Sequence, residues 1–306
     1  MNGNQQKRLA ALVSQEVKWQ CRLDRYTSFA IGGPAEALVR VDLRQELQPL
    51  LGYLAGEKIA WRVIGRGTNL LVRDEGFAGI VILLGREFDR HAAVDVAEGK
   101  VIVNAGGSCG LAGLSLWCAE NGISGLEFAC GIPGTVGGGV IMNAGAWGQE
   151  LSDLIESVTV VTPDKTERRV RRDLDFSYRR WDGYARYHGQ AVVAGVELAL
   201  QRGDAAVIKA RCRILQEKRK VSQPREHASA GSFFRNPPHD SAGRLIETCG
   251  LKGTRIGGAM VSERHGNFLV NKGDATAGDV LQLMKVIQDK VKKDCGVMLE
   301  PEVHFI

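Results

Sequence analysis

The run Gly131-Ile-Pro-Gly-Thr-Val-Gly-Gly-Gly139, followed by Val-Ile-Met-Asn143-Ala-Gly-Ala-Trp-Gly148, decides how this chain of 306 residues is interpreted. From Phe128 to Gln149 no side chain is charged, and such a stretch is long enough to span a bilayer. The same 22 residues hold seven glycines and a proline, which make a poor lipid-facing helix. We therefore reject a membrane span and predict a loop whose exposed backbone lies against a large ligand. A purely structural glycine cluster is the alternative.

A second glycine loop, Gly65-Arg-Gly-Thr-Asn69, lies between the β-like runs Trp61–Ile64 and Leu70–Val72. Its amides can converge on an anion such as a pyrophosphate. The loop has neither the third glycine of a Rossmann fingerprint nor the Gly-Lys-Ser/Thr of a Walker loop. Taken alone it is interpreted more simply as a tight turn. Two such loops are what gripping an extended dinucleotide requires.

The composition excludes several classes of protein. A net charge of +5, spread along the chain, is too small to indicate a nucleic-acid binder. The seven cysteines are scattered and form no C-x-x-C pair, so we predict neither a disulfide framework nor a metal site. The N-terminus has no apolar stretch of signal-peptide length. These features favour a cytoplasmic protein.

The spacing of apolar residues predicts an α+β protein. Short β-like runs with sparse helices fill the first two thirds of the chain. Helical periods predict helices over 108–121, 204–220 and 276–295, the last with Thr276 and Asp279 as a capping pair and Gly296 as its stop. A final strand is expected over 299–306. We predict three domains, residues 1–85, 86–203 and 204–306.

Several blocks resemble one family, the UDP-N-acetylenolpyruvoylglucosamine reductases (UDP-N-acetylmuramate dehydrogenases). The resemblance extends over residues 27 to 303, in order. Besides the two glycine loops, it is carried by Thr27-Ser-Phe-Ala-Ile-Gly-Gly-Pro-Ala35, Phe176-Ser-Tyr-Arg179, Ala230-Gly-Ser-Phe-Phe-Arg-Asn-Pro237, Ile256-Gly-Gly-Ala259 and Leu299-Glu-Pro-Glu-Val303. The Gly-Ser-Phe-Phe block and the C-terminal Glu-Pro-Glu-Val are the most particular to this family. The chain is similar to its shorter type II form.

The resemblance implies a PCMH-type (vanillyl-alcohol-oxidase-like) FAD-binding fold. Residues 1–85 and 86–203 would form two α/β FAD-binding subdomains, and 204–306 the substrate-binding subdomain. FAD would be bound non-covalently, and NADPH would be the reductant. A monomer is expected, acting on the small-molecule substrate UDP-N-acetylglucosamine enolpyruvate. The product, UDP-N-acetylmuramate, is a precursor of peptidoglycan.

The resemblance also assigns binding residues. The cofactor contacts it implies are Gly65, Arg66, Gly67, Thr68, Asn69, Leu70, Gly131, Ile132, Pro133, Gly134, Gly137, Gly138, Asn143 and Ala144. The substrate contacts it implies are Tyr178, Lys220, Asn236 and His265. For His265 a generic surface or core histidine is an equally good interpretation.

Three catalytic residues follow from the resemblance: Arg179, Ser232 and Glu302. The implied reaction adds hydride to an enol ether and leaves negative charge beside the carboxylate. An arginine suits that charge, because its guanidinium stays protonated. Ser232 would donate a proton to carbon, and burial should raise the pKa of Glu302 so that it keeps or shares its proton. The segment Arg180–Gly189 matches the family pattern poorly.

Two other functions are alternatives. An FAD-dependent sugar or hydroxy-acid oxidase would share the cofactor domain but would give no reason for the blocks around Ser232 and Glu302. A catalytically silent nucleotide-binding protein would be expected to lack at least one of Arg179, Ser232 and Glu302, and all three are present.

Overall fold

The computed structural model describes all 306 residues, Met1–Ile306. The chain folds into two compact units. The larger unit contains Met1–Trp19, Glu36–Gly65 and Gly79–Glu217, and the smaller unit contains Gln20–Ala35, Arg66–Ala78 and Lys218–Ile306. Two short N-terminal segments thus fold with the C-terminal part of the chain. The three-domain division with boundaries at 85 and 203 stays a prediction.

Seven α-helices and twenty strands make up the regular structure. The helices are α1 Gly3–Ala11, α2 Arg44–Gly56, α3 Leu111–Glu120, α4 Val136–Ile141, α5 Ala205–Ser222, α6 Ala242–Thr248 and α7 Ala277–Cys295. The strands are β1 Lys18–Arg22, β2 Pro34–Val41, β3 Trp61–Val63, β4 Leu70–Leu71, β5 Phe77–Leu84, β6 His91–Ala97, β7 Lys100–Gly106, β8 Ile123–Ser124, β9 Gly145–Ala146, β10 Gln149–Glu150, β11 Ile155–Val161, β12 Thr166–Val170, β13 Phe176–Ser177, β14 Arg180–Trp181, β15 Val192–Arg202, β16 Ala228–Ser232, β17 Arg255–Ile256, β18 Ala259–Val261, β19 Phe268–Asn271 and β20 His304–Phe305.

The main sheet of the larger unit is antiparallel, with strand order β12-β11-β15-β7-β6 and β8 added to β15. Its central strand β15 is apolar and buried over most of its length, because both faces are covered. One apolar core lies between this sheet and α3 and α4, and includes Val103, Leu114, Val140 and Leu198. The sheet thereby supports the glycine-rich segment that contains α4.

A smaller sheet, with strand order β1-β2-β5-β3, packs against α2. Strands β3 and β5 are parallel, with Trp61 opposite Ile80. Helix α2 contributes Leu47 and Leu54 to the core, both fully buried. Because β3 ends at Val63, this sheet sets the position where the first glycine loop begins.

The smaller unit has an antiparallel sheet in the order β16-β19-β18-β17, covered by α6 and α7. Strands β20 and β4 form a separate parallel pair, with His304 opposite Leu70. The core includes Phe233, Phe234 and the buried face of α7. This sheet carries the Ala230–Pro237 block at the end of β16.

The predicted α+β class is confirmed, and so are the three predicted helices. Thr276 and Asp279 form the capping box of α7, and Gly296 ends the helix at φ 74°. Two local predictions are wrong. Val136–Ile141 in the glycine-rich run is a short helix. The expected final strand is reduced to His304–Phe305, with an isolated bridge from Pro301 to Phe234 before it. No helix is long and apolar enough to cross a membrane.

Candidate active site

The glycine-rich run turns into helix α4 at Thr135. The Thr135 side chain accepts the Gly138 amide at 3.3 Å, which is the usual N-cap interaction. A Cβ at Gly137 would lie 3.0 Å from the carbonyl oxygens of both Gly107 and Val193. Glycine therefore lets α4 approach strand β15 and its neighbour more closely than any side chain would allow.

Gly65, the first residue of the first glycine loop, lies against the N-cap of α4 in the larger unit. A Cβ at Gly65 would lie 2.5 Å from Thr135 Oγ1, so the start of the first loop packs directly on the cap of α4. Gly67 has φ 62°, and a Cβ there would lie 2.1 Å from the carbonyl oxygen of Tyr26. A side chain at either position would clash, so both Gly65 and Gly67 must be glycine. These close contacts are more than a simple tight turn requires.

The donors of these loops fit a dinucleotide. The amides of Gly65, Gly67, Asn69, Gly134 and Thr135 donate no hydrogen bond to the protein backbone. Most amides of a folded protein are paired, so a set of unengaged amides in glycine loops is suited to binding phosphate oxygens. Backbone donors of this kind fit the pyrophosphate and polar edges of FAD.

Arg179 lies at the tip of a hairpin. Strands β13 and β14 pair through Phe176 with Trp181 and Ser177 with Arg180, which leaves Tyr178 and Arg179 as the connecting residues. Arg179 has φ 57°, a left-handed conformation that is uncommon outside glycine and costs about 1–3 kcal/mol. Such strain persists only where the surroundings hold it in place, and it is frequent at functional sites.

The Arg179 side chain is held by two contacts. Its Nη2 donates to the carbonyl oxygen of Gly145 at 2.9 Å, and its Cζ lies 4.9 Å from the centre of the Tyr178 ring. The guanidinium is half-buried, whereas Tyr178 is 47% exposed. The charge is thereby oriented while its surface stays accessible.

Ser232 and Glu302 lie on neighbouring extended segments of the smaller unit. Ser232 ends β16, just after a bulge in the pairing with β19. The next residue, Phe233, accepts the Glu302 amide on its carbonyl at 2.8 Å. Both side chains are half-buried. The backbone therefore brings together two of the three predicted catalytic residues, although 70 positions separate them in the sequence.

Asn69 joins the first glycine loop to the same segment. Its side-chain amide donates to the Glu302 carbonyl at 3.1 Å, and its own carbonyl accepts the His304 amide at 3.0 Å. Leu70 continues this contact through the pairing of β4 with β20. Within the smaller unit, residues 66–70 of the first loop thus lie beside Glu302.

Three predicted substrate contacts lie in the smaller unit. Lys220 is exposed near the end of α5. Asn236 is exposed, and its Oδ1 accepts the Ala242 amide at 3.0 Å, which leaves its amide donors toward solvent. His265 is half-buried, and its Nδ1 accepts the Asn267 amide at 3.1 Å. Burial, together with the charge of Lys252, lowers the pKa of His265.

The remaining predicted cofactor residues differ in their surroundings. In the glycine-rich run, three of them are half-buried: Gly131, Ile132 and Gly134. Pro133 and Gly138 are exposed, whereas Gly137 is buried. Asn143 is fully buried, and its side chain bonds to Ser177 and Ser152 within the protein. Ala144 is half-buried beside it. The cofactor role of these residues stays a prediction.

Sequence reasoning does not single out two residues that the structure places in notable positions, Thr135 and Arg235. Thr135 contacts Gly65 and caps α4, and a threonine that precedes a short apolar run is a recognisable helix start. Arg235 has a buried Nε without a hydrogen-bond partner, and its charge contributes with burial to lowering the pKa of His304. No sequence signal indicates that burial.

No group of three or more His, Cys, Asp or Glu side chains is placed to hold a metal ion.

Comparisons with known proteins agree with this arrangement. Residues 35–171 match the family model described as FAD binding domain. Residues 223–306 match that of the UDP-N-acetylenolpyruvoylglucosamine reductase C-terminal domain. These matches confirm the predicted PCMH-type FAD-binding fold followed by a reductase C-terminal domain.

Full-length relatives extend the match to nearly the whole chain. A UDP-N-acetylenolpyruvoylglucosamine reductase of Desulfosudis oleivorans is 44% identical over 97% of each chain, and one of Symbiobacterium thermophilum is 45% identical over 92% of this chain and 90% of its own. The crystal structure of the corresponding reductase from Thermus caldophilus covers 95% of this chain and 98% of its own, at 37% identity and a TM-score of 0.76. The chain therefore belongs to the UDP-N-acetylenolpyruvoylglucosamine reductase family.

Proposed function

We propose that this protein reduces UDP-N-acetylglucosamine enolpyruvate to UDP-N-acetylmuramate, with FAD as cofactor and NADPH as reductant, in peptidoglycan precursor synthesis. The observation that carries the proposal is the pairing of the Ser232 and Glu302 segments through the Phe233–Glu302 hydrogen bond. An oxidase that shares only the cofactor domain has no need of this arrangement. Identities of 40–45% over at least 90% of this chain support the same activity.

FAD would be held non-covalently by the two glycine loops. Gly67 and Gly137 allow the backbone to approach. The amides suited to its phosphates are those of Gly65, Gly67, Asn69, Gly134 and Thr135. No histidine lies in the glycine-rich run to attach a flavin covalently. When bound, FAD would supply hydride, obtained from NADPH, to the terminal carbon of the enol ether.

Arg179 would stabilise the negative charge that develops beside the substrate carboxylate. Its fixed positive charge is already oriented by Gly145 and Tyr178, so little reorganisation is needed when the charge appears. Its backbone is also held in a strained left-handed conformation, at φ 57°. This combination suits a group that binds the transition state more strongly than the substrate.

Ser232 would deliver the proton to the carbon beside the carboxylate. A serine hydroxyl is a weak acid, so it needs a neighbouring polar group that stabilises or refills it. Glu302 would serve this function if it retains or shares a proton. The backbone bond between Phe233 and Glu302 fixes the spacing of the two segments.

The substrate contacts that we propose are Tyr178, Lys220, Asn236 and His265. Lys220 offers a positive charge and Asn236 an amide donor to phosphate and sugar oxygens. A neutral His265 would offer one ring nitrogen to the uridine end, because its Nδ1 is already occupied by Asn267. We also propose that the protein acts as a monomer in the cytoplasm, where its seven free cysteines stay reduced.

The activity can be tested by following NADPH absorbance and product mass together. We expect the purified protein to carry yellow flavin that heat releases. Under anaerobic conditions, we also expect NADPH to be consumed beyond one equivalent per flavin only when UDP-N-acetylglucosamine enolpyruvate is added. The product should be heavier than the substrate by two hydrogen atoms. Absence of flavin, or NADPH consumption that depends on oxygen and ignores the enolpyruvate, would contradict the proposal.

A further inference from the structure

Asn143 occupies an unusual position between the glycine-rich run and the rest of the larger unit. It is fully buried and has φ 41°, a conformation that asparagine adopts more readily than most other residues. Its side-chain Nδ2 donates to the carbonyl of Ser177 at 3.1 Å, and its Oδ1 accepts the amide of Ser152 at 3.0 Å. Both ends of the amide are therefore used inside the protein.

The Ser177 carbonyl belongs to the hairpin that carries Arg179. Strand β13 has only two residues, so its own pairing with β14 gives the hairpin little rigidity. The bond from Asn143 fixes the backbone two residues before Arg179. The guanidinium of Arg179 is fixed on the same segment, because it donates to the carbonyl of Gly145. Residues 143–145 therefore hold both the backbone and the side chain of this hairpin.

Few other side chains could replace Asn143. An aspartate keeps the acceptor for the Ser152 amide but, when ionised, places a carboxylate oxygen against the Ser177 carbonyl. A leucine has similar size but satisfies neither partner, and the amide of the buried Ser152 would then lack a hydrogen bond. A glycine accepts the φ of 41° and removes only the side chain. The position thus requires an acceptor and a donor at once.

We propose that Asn143 is a positioning residue for Arg179, which it serves by holding the Ser177 carbonyl and with it the hairpin tip. The inference rests on the proposed role of Arg179 in the second half of the reaction. Small displacements of a charge-stabilising group reduce rates strongly, by up to about 100-fold for 1 Å. Asn143 then affects the step that uses Arg179 more than it affects the reduction of the flavin.

The test compares Asn143→Asp and Asn143→Gly with a matched control, Asn271→Asp. Asn271 is also buried, and its side chain likewise donates to a carbonyl, that of Phe29, and accepts an amide, that of Gly273. Hydrogen exchange of the peptide 176–181 is measured on each apoprotein, so this reading does not depend on bound flavin. We expect faster exchange of this peptide in both Asn143 variants and unchanged exchange in the control.

A double-mutant cycle on the holoenzyme ties the effect to Arg179. In anaerobic stopped-flow, we expect Asn143→Asp and Asn143→Gly to slow flavin reoxidation by the enolpyruvyl substrate roughly 10- to 100-fold, and to slow it more than they slow reduction by NADPH. In an Arg179→Ala background, Asn143→Asp should add less than about threefold, because a residue that acts through Arg179 has nothing left to position.

Each outcome decides between the claims. If exchange of 176–181 is unchanged, or the losses multiply in the double variant, the positioning role of Asn143 is overturned and that of Arg179 stands. If Arg179→Ala reoxidises at the wild-type rate, the proposed role of Arg179 fails, and the inference fails with it. Should Asn143→Asp fail to fold, Asn143→Gly, which accommodates the backbone angle, carries the same comparison.

Discussion

The side-chain amide of Asn69 donates a hydrogen bond to the backbone carbonyl of Glu302 across 3.1 Å. A residue of the first glycine loop is thereby attached to the segment of a predicted catalytic glutamate, 233 positions later in the chain. The carbonyl of Asn69 also accepts the His304 amide, so both sides of this residue are fixed. We therefore expect Asn69, as a proposed contact of the flavin, to couple flavin binding to the position of Glu302.

Asn69→Asp should weaken both functions. The new carboxylate cannot donate to the Glu302 carbonyl, and its charge repels phosphate oxygens at the loop. We expect the dissociation constant of FAD to rise about tenfold or more, from the loss of roughly 1–3 kcal/mol. Flavin fluorescence during titration of the apoprotein measures it. Asn121→Asp adds the same charge outside the glycine loops and should bind FAD normally; equal binding by both variants would refute the coupling.

Gly65→Ala should disturb the contact between the two loops. The added methyl would lie 2.5 Å from Thr135 Oγ1, and the branched Thr135 side chain has little freedom to move. We expect a lower melting temperature and less than the wild-type amount of flavin per chain. Gly113→Ala is the control, because this helical glycine has open space and alanine should stabilise α3 by about 0.5–1 kcal/mol. Full flavin content in Gly65→Ala would contradict the packing argument.

Glu167 should make stability depend on pH in the acid range. Burial works to raise its pKa, but bonds from Lys165, Tyr187 and Arg169 outweigh this and lower the pKa to about 2. A lowered pKa stabilises the folded state above the usual value of 4.5, and this stabilisation is lost as the pH falls toward 2.

The change that checks this is Glu167→Gln. At pH 7 we expect the free energy of unfolding to fall by about 1–3 kcal/mol, because the carboxylate bonds are replaced by weaker ones. Urea titrations at pH 7, 4 and 3 should show the difference from wild type shrinking with pH. A difference that is constant over this range would show that the ionised form of Glu167 is not what stabilises the fold.

Cys249 should react slowly with alkylating reagents. Its sulfur lies 3.6 Å from that of Cys295. The pKa of Cys249 is raised to about 11, mainly by burial and then by the hydrogen bond with Cys295 and the charge of Cys295. Since only the thiolate is nucleophilic, the initial rate of alkylation by iodoacetamide should still rise about tenfold per unit between pH 8 and 10. Peptide mass spectrometry after short pulses measures this rate. Levelling off near pH 9 would contradict it, and Cys295→Ser should level off earlier than wild type.

The ends of α7 could be predicted because their signals are local. Thr276 and Asp279 lie within one turn of each other, and Gly296 alone supplies the left-handed stop. Sequence alone predicts a loop where the short helix α4 forms, because glycines lower helix propensity. It forms because Gly137 packs against Gly107 and Val193, a tertiary contact that no local pattern contains.

The geometry of the Arg179 hairpin could not be predicted from the sequence. Its connecting residues, Tyr178 and Arg179, include none of the glycine or asparagine that signals a tight hairpin. The turn is held instead by Asn143, more than thirty positions earlier, and by Trp181, which packs with neighbouring aromatic rings. The role of Arg179 followed from resemblance, but its geometry required the folded chain.

The catalytic assignment is tested most directly by anaerobic stopped-flow on wild type and Ser232→Ala, with NADPH mixed first and UDP-N-acetylglucosamine enolpyruvate second. If Ser232 donates the proton to carbon, NADPH bleaches the flavin of the variant at the wild-type rate. The enolpyruvate then restores the colour about 100- to 10,000-fold more slowly than in wild type. Reoxidation of the variant at the wild-type rate would contradict the role of Ser232. A reduced wild-type flavin that responds only to oxygen would contradict the reductase itself.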